Sequence, residues 1–196
     1  MAQKYGYMSK QFLGWFLANV LGFGAVGALI LVLPSVMTFS GFFVATSIIA
    51  IPIGLAQWIA LSRISKTSVL WILTVPIGTP LGFYLTRLIP DGLWFDAGDD
   101  SLVAMTSMLL VVGLIIGLLQ WIILRRQLVR ASLWLLGSAI GVAGSFWLIM
   151  VTDLIHQSGV VSYAVVALVY SGMTGLVLSG LLAYNNQSQP RLANAT

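Results

Sequence analysis

The chain has 196 residues, of which 59% are hydrophobic and 7% charged, with a mean hydropathy of +1.01. That excludes a soluble globular domain, in which about a quarter of residues carry charge. The net charge of +4 is spread over short segments and forms no dense basic face for nucleic acid, and without cysteine there are neither disulfides nor thiolate-held metals.

Six apolar stretches follow, each about long enough to cross a bilayer. The first, residues 11–33, comes after Lys4 and Lys10 and carries Trp15, Ala18 and Gly22. It shows no convincing cleavage site before the second stretch, so we read it as a retained span, not a signal peptide. The second, 41–61, carries Thr46, Ala50 and Gly54, then Gln57 and Trp58, with Pro52 inside it. The third, 67–89, holds Trp71, Thr74, Pro76, Gly78, Pro80 and Gly82. Its prolines remove backbone donors and leave the carbonyls near Ile72 and Pro76 without helical partners, which predicts a kink. The fourth, 102–124, carries Gly113, Gly117, Gln120 and Trp121. The fifth, 131–151, carries Trp134, Gly137, Gly141 and Ser145, and the sixth, 160–184, ends on Gly180, Ala183 and Tyr184.

Charge sorts by side. Lys4, Lys10, Arg63, Lys66, Arg125, Arg126, Arg130 and Arg191 fall in the tails and even-numbered turns. Asp91, Asp96, Asp99, Asp100 and Asp153 fall in the odd-numbered turns, where Arg87 is the lone basic residue. The positive-inside rule then places both termini in the cytoplasm.

The pattern also repeats. Gly54, Gln57, Trp58, Leu61 and Arg63 recur 63 residues later as Gly117, Gln120, Trp121, Leu124 and Arg126, and a reduced copy follows at Gly180 and Tyr184 with Ala183 at the glutamine position. Each odd stretch has a tryptophan seven residues before a glycine, in Trp15/Gly22, Trp71/Gly78 and Trp134/Gly141. The expected fold is therefore an all-α integral membrane protein of three parallel hairpins, about 11–61, 67–124 and 131–184. These form one domain over 1–184 with a polar cytoplasmic tail at 185–196.

Small residues at four-residue spacing let helices approach closely, so Gly22, Gly54, Gly78, Gly117 and Gly141 are expected at helix contacts. Trp15, Trp58, Trp71, Trp121 and Trp134, with Tyr184, fall near the inferred cytoplasmic boundary and are expected to form an interfacial belt. Gln57 and Gln120 lie just inside it and need partners. We expect them to converge on a common axis, as packing groups or as contacts for a polar ligand group.

Signs of chemistry are sparse. No charged residue or histidine occupies the middle of a stretch, which argues against a proton-driven pump. His156, after Asp153, stands alone as a possible ligand, and the outer turn 90–101 with Trp94 and Phe95 fits no calcium-loop order. No cofactor and no metal are expected.

The Gln57-Trp58 and Gln120-Trp121 blocks, the run from Trp134 to Gly141 and the Ser171–Gly175 ending resemble a group of small polytopic bacterial proteins found in cyanobacteria and Chloroflexi. The chain departs from that pattern at Ser62, where the second copy has Arg125. The resemblance implies the topology and the repeat, implies a bacterial inner membrane or a thylakoid membrane as the location, and implies no site. The functional expectation is a non-enzymatic accessory protein whose partners are membrane lipids and other membrane helices, with room for a lipid or another apolar ligand. The alternative is an uptake component similar to the substrate-binding subunits of energy-coupling-factor vitamin transporters.

Single cysteines at positions 4 and 126 should label from the cytoplasmic side and one at position 96 from the opposite side. Labelling of 96 and 126 from one face would end the six-span topology.

Overall fold

The computed structural model describes residues 2–32, 39–88, 101–151 and 159–193. They form six helices: α1 (Ala2–Val32), α2 (Phe39–Ser62), α3 (Trp71–Thr86), α4 (Ser101–Leu124), α5 (Leu133–Val151) and α6 (Gly159–Ala193). No strand occurs among the described residues. All but α3 are long and apolar enough to cross a membrane.

Three boundaries differ from the sequence reading. α1 begins at Ala2, well before the apolar stretch, and α6 continues to Ala193, so most of the expected tail extends a helix. α3 has 16 residues, because 63–70 are spent on a turn. It starts through three-residue hydrogen bonds, Trp71 N–H to the Ser68 carbonyl and Ile72 N–H to that of Val69. Pro76 and Pro80 lie within α3 and Pro52 within α2. The outer turn 90–100, Asp153 and His156 lie outside the described residues.

Among the described residues each helix packs on its neighbours in the chain, and α1 packs on α6. The six helices thus make a closed ring. Successive helices run antiparallel, so α1, α3 and α5 point one way and α2, α4 and α6 the other.

A glycine sits at every contact of that ring. A Cβ at Gly22 would stand 2.8 Å from the Ile53 Cα, one at Gly78 3.0 Å from the Ile116 Cα, and one at Gly113 2.7 Å from the Ala139 Cα. Gly117 meets the Ser138 side chain, Gly141 the Tyr170 ring, and Gly175 the Phe12 and Trp15 rings. At Gly22, Gly78 and Gly113 a Cβ would collide with backbone, and at Gly117, Gly141 and Gly175 it would crowd a neighbour's side chain. In lipid, where apolar burial gives helices little reason to associate, this contact holds them together.

The α2–α3 contact shows how a proline is used. Pro76 has no N–H to donate to the Ile72 carbonyl one turn before it. Gly54 lies against that carbonyl, and a Cβ there would be 2.2 Å from its oxygen. The freed oxygen faces a bare Cα, a recurring weak hydrogen-bond geometry between helices.

Polarity runs inside out. Asn19, Gln57 and Gln120 are fully buried while Leu21 and Leu176 are 71% and 65% exposed. Water would favour the reverse arrangement; an apolar solvent favours this one.

Gly54→Ala should lower stability by about 1–3 kcal/mol, since backbone must move to admit the methyl group. At Gly14 an added methyl group would meet nothing within 4 Å. Gly14→Ala should be neutral or gain up to about 1 kcal/mol of helix propensity. Thermal unfolding in detergent compares them, and equal melting points would contradict a close α2–α3 approach.

Candidate functional site

The chemistry-bearing side chains gather on the ring's axis. Trp15 on α1, Trp71 on α3 and Trp134 on α5 are each 0% exposed and touch one another edge to face. Their ring centroids lie 6.4 Å apart for Trp15–Trp71, 5.5 Å for Trp15–Trp134 and 6.0 Å for Trp71–Trp134. Such separations suit the aromatic quadrupole. Each tryptophan enters from an odd helix; Trp71 and Trp134 stand in the first turn of theirs, while Trp15 lies well inside α1, which starts at Ala2.

A buried indole N–H needs an acceptor, and the even helices supply it. Trp71 Nε1 donates to Gln57 Oε1 at 3.1 Å, and Trp134 Nε1 donates to Gln120 Oε1 at 2.7 Å. In both cases the glutamine lies 14 residues before the tryptophan. Trp15 has Ala183 at the matching place on α6 and donates instead to Thr174 Oγ1 at 3.0 Å. The Thr174 hydroxyl in turn donates to the Tyr170 carbonyl at 2.6 Å.

The amides link these pairs across the axis. Gln120 Nε2 donates to Gln57 Oε1 at 3.1 Å and to Thr74 Oγ1 at 3.3 Å. Gln57 Nε2 donates to Asn19 Oδ1 at 2.8 Å, and Asn19 Nδ2 donates to the Trp15 carbonyl at 2.9 Å. A directed chain therefore runs from Trp134 through Gln120, Gln57 and Asn19 to the backbone of α1. All six helices contribute a side chain. Every indole N–H and every amide oxygen in the cluster has a partner, which is the condition for burying such groups cheaply. The buried Tyr170 side chain faces Gln57, Gln120 and Ser138.

The cluster contains no acid, base or thiol nucleophile in the usual sense of a catalytic pair. Among the described residues no group of three His, Cys, Asp or Glu could hold a metal. What the arrangement does chemically is close the axis and fix the rotation of each helix.

The sequence-predicted residues separate into two sets. Gln57 and Gln120 meet on the axis. Gly22, Gly54, Gly78, Gly117 and Gly141 lie at helix contacts. The expected belt needs correction, because Trp15, Trp71 and Trp134 are core residues whose N–H groups are consumed internally, not interfacial anchors. Trp58, Trp121 and Tyr184 remain partly exposed at the rim. Trp58 Nε1 donates to the Thr67 carbonyl at 3.4 Å, Arg125 lies over the Trp121 ring at 5.0 Å and Arg130 over Tyr184 at 4.2 Å.

Sequence reasoning missed Asn19, Tyr170 and Thr174. Asn19 carries a signal that would have found it: it is an amide inside an apolar stretch, one turn after Trp15. Thr174 and Tyr170 carry none, since their role follows from Ala183 standing where a glutamine would.

The rim carries charge as well. Lys10, Arg63, Lys66, Arg125, Arg126 and Arg130 lie at the end of the ring where the α2–α3 and α4–α5 turns are found. The two turns are tied together by a hydrogen bond from Gln127 Nε2 to the Lys66 carbonyl at 2.8 Å.

No protein-family model, curated protein or solved structure matches the chain.

Gln57→Leu removes the acceptor of Trp71 and of Gln120 and the donor to Asn19. Each buried group left unpaired should cost about 1–3 kcal/mol. The Gln57→Leu/Gln120→Leu double variant should lose more than either single but less than their sum, because both singles break the shared amide bond. Full additivity in detergent unfolding would place the two amides in separate networks.

Proposed function

We propose that the chain is a non-enzymatic accessory protein of the membrane, a sealed six-span scaffold whose outer surface engages lipids and other membrane helices. The observation that carries this reading is the cluster on the axis, whose indole N–H groups and amide oxygens are all paired within the protein. Its amides and indoles spend their hydrogen bonds on each other, so a polar solute would have to break that network to bind there. The reading includes the finer topology, with three parallel hairpins about a pseudo-threefold axis and both termini on the basic, cytoplasmic side.

Two observations support the repeat. Turn hydrogen bonds recur at a spacing of 63: Ile64 N–H and Ser65 N–H to the Leu61 carbonyl correspond to Gln127 N–H and Leu128 N–H to that of Leu124. The Trp71–Gln57 and Trp134–Gln120 bonds correspond in the same way. Support for the orientation comes from the cations gathered at one end of the ring. The resemblance to small polytopic bacterial proteins points to the same topology.

Native mass spectrometry of the protein extracted in mild detergent should show phospholipid or protein adducts. Reconstituted into liposomes, the protein should leave small-solute leakage at the protein-free level. A stoichiometric vitamin-sized polar adduct, lost in Gln57→Leu, would overturn the scaffold in favour of an uptake component.

A further inference from the structure

The glycine that breaks the packing pattern opens a cleft. Gly54 and Gly117 press against the next helix, but Gly180, 63 residues on from Gly117, is exposed, and a Cβ added there would meet nothing within 4 Å. It lines a cleft of about 430 Å³ between α5 and α6, walled by Leu136, Ile140, Met173 and Val177. At the mouth stand Arg130 and Tyr184, with the guanidinium over the ring at 4.2 Å. We infer that this cleft is a binding site for one anionic phospholipid of the leaflet at the basic end, its acyl chain in the cleft and its phosphate on Arg130.

Three features fit that occupant. The first is depth. From Tyr184 to Met173 α6 descends about 16 Å, close to half of a hydrocarbon core of about 30 Å. A cleft of that length holds a chain from one leaflet. The second is character, because the walls are apolar and open sideways to the bilayer, where acyl chains are the solvent. The third is charge. Arg130 is held at φ 61°, a left-handed conformation rare for residues with a side chain. The turn thereby brings its guanidinium to the cleft mouth, at the depth where headgroup phosphates lie. No acidic residue occurs among the described residues, so none of them competes for the guanidinium. Tyr184 supports the cation from below through its ring face.

The inference rests on the scaffold reading and sharpens it to one ligand class and one site. The test uses the intact protein in mild detergent, titrated with phosphatidylglycerol and with chain-matched phosphatidylcholine and read by native mass spectrometry. The wild type should hold one phosphatidylglycerol in preference to phosphatidylcholine. Arg130→Asn, which keeps a residue tolerant of the left-handed conformation, should weaken phosphatidylglycerol roughly fivefold, the weight of one cation near anionic headgroups. It should leave phosphatidylcholine unchanged. Gly180→Leu fills the cleft without entering a helix contact and should weaken both lipids at an unaltered lipid-free melting temperature. Arg63→Gln, on the α2–α3 turn across the ring, should change neither.

Equal retention of the two lipids by the wild type, or full phosphatidylglycerol binding by Gly180→Leu, would overturn the site. So would a protein dimer that Gly180→Leu splits, which would make a second copy the occupant. Each of these outcomes leaves liposome leakage at the protein-free level, so the scaffold reading fails or stands independently of the lipid site.

Discussion

A closed ring of six helices has a hollow axis, and filling it is the constraint on which the rest depends. At the usual interaxial distance of about 8–10 Å, a regular six-membered ring leaves a central gap about as wide as one more helix. Backbone contact between neighbours cannot close it. Trp15, Trp71 and Trp134 close it by meeting on the axis from alternate helices. Aliphatic side chains from three helices would fall short of the centre. Once tryptophan is chosen for its reach, three N–H groups are carried into an apolar interior and the remaining polar residues become necessary. Gln57, Gln120 and Thr174 are the acceptors, and Asn19 and Thr74 satisfy what the glutamines have left over.

The third sector departs from the other two, and the departures are linked. With Ala183 in the glutamine position, Trp15 turns to Thr174, nine residues earlier on α6. α6 faces the axis there through Thr174, Tyr170 and Leu178, all buried. Gly180 then looks outward, where it has no neighbour, instead of inward onto the next helix. Ala183 thus goes together with a different partner for Trp15 and with an exposed Gly180 on the same helix. The opening between α5 and α6 is the external counterpart of the asymmetry at the centre.

Much of this was legible in the sequence and some was not, for definable reasons. Apolar length and charge placement mark six helices, because a bilayer imposes both directly. The glycine rows mark the contact faces, because only bare backbone packs so closely. The glutamines mark the axis, because an amide is better satisfied inside a bundle than against acyl chains. The tryptophans are ambiguous in the sequence because two physical roles leave the same trace. A residue with an apolar body and one donor suits the membrane boundary, and it suits equally a core position whose donor meets a buried amide. Trp58 and Trp121 stand partly exposed at the rim, and Trp71 and Trp134 take the second role. The distinguishing mark is the 14-residue spacing from a glutamine, which carries the chain out of one helix, around a tight turn and back to the same depth.

α3 shows what the ring does for a member that local sequence serves poorly. Its 16 residues rise about 24 Å, less than the hydrocarbon thickness, and it holds two prolines and two glycines. Alone it would be a weak helix and a poor span. Within the ring the same residues become its attachments. Pro76 frees the Ile72 carbonyl that Gly54 approaches, and Gly78 and Gly82 admit the α4 backbone at Ile116 and Val112. At its start Trp71 is fastened to Gln57, and Thr74 receives Gln120. The helix with the least intrinsic propensity is thus the one held on both flanks and at the axis. Its irregular sequence is the means by which its neighbours come close enough to hold it.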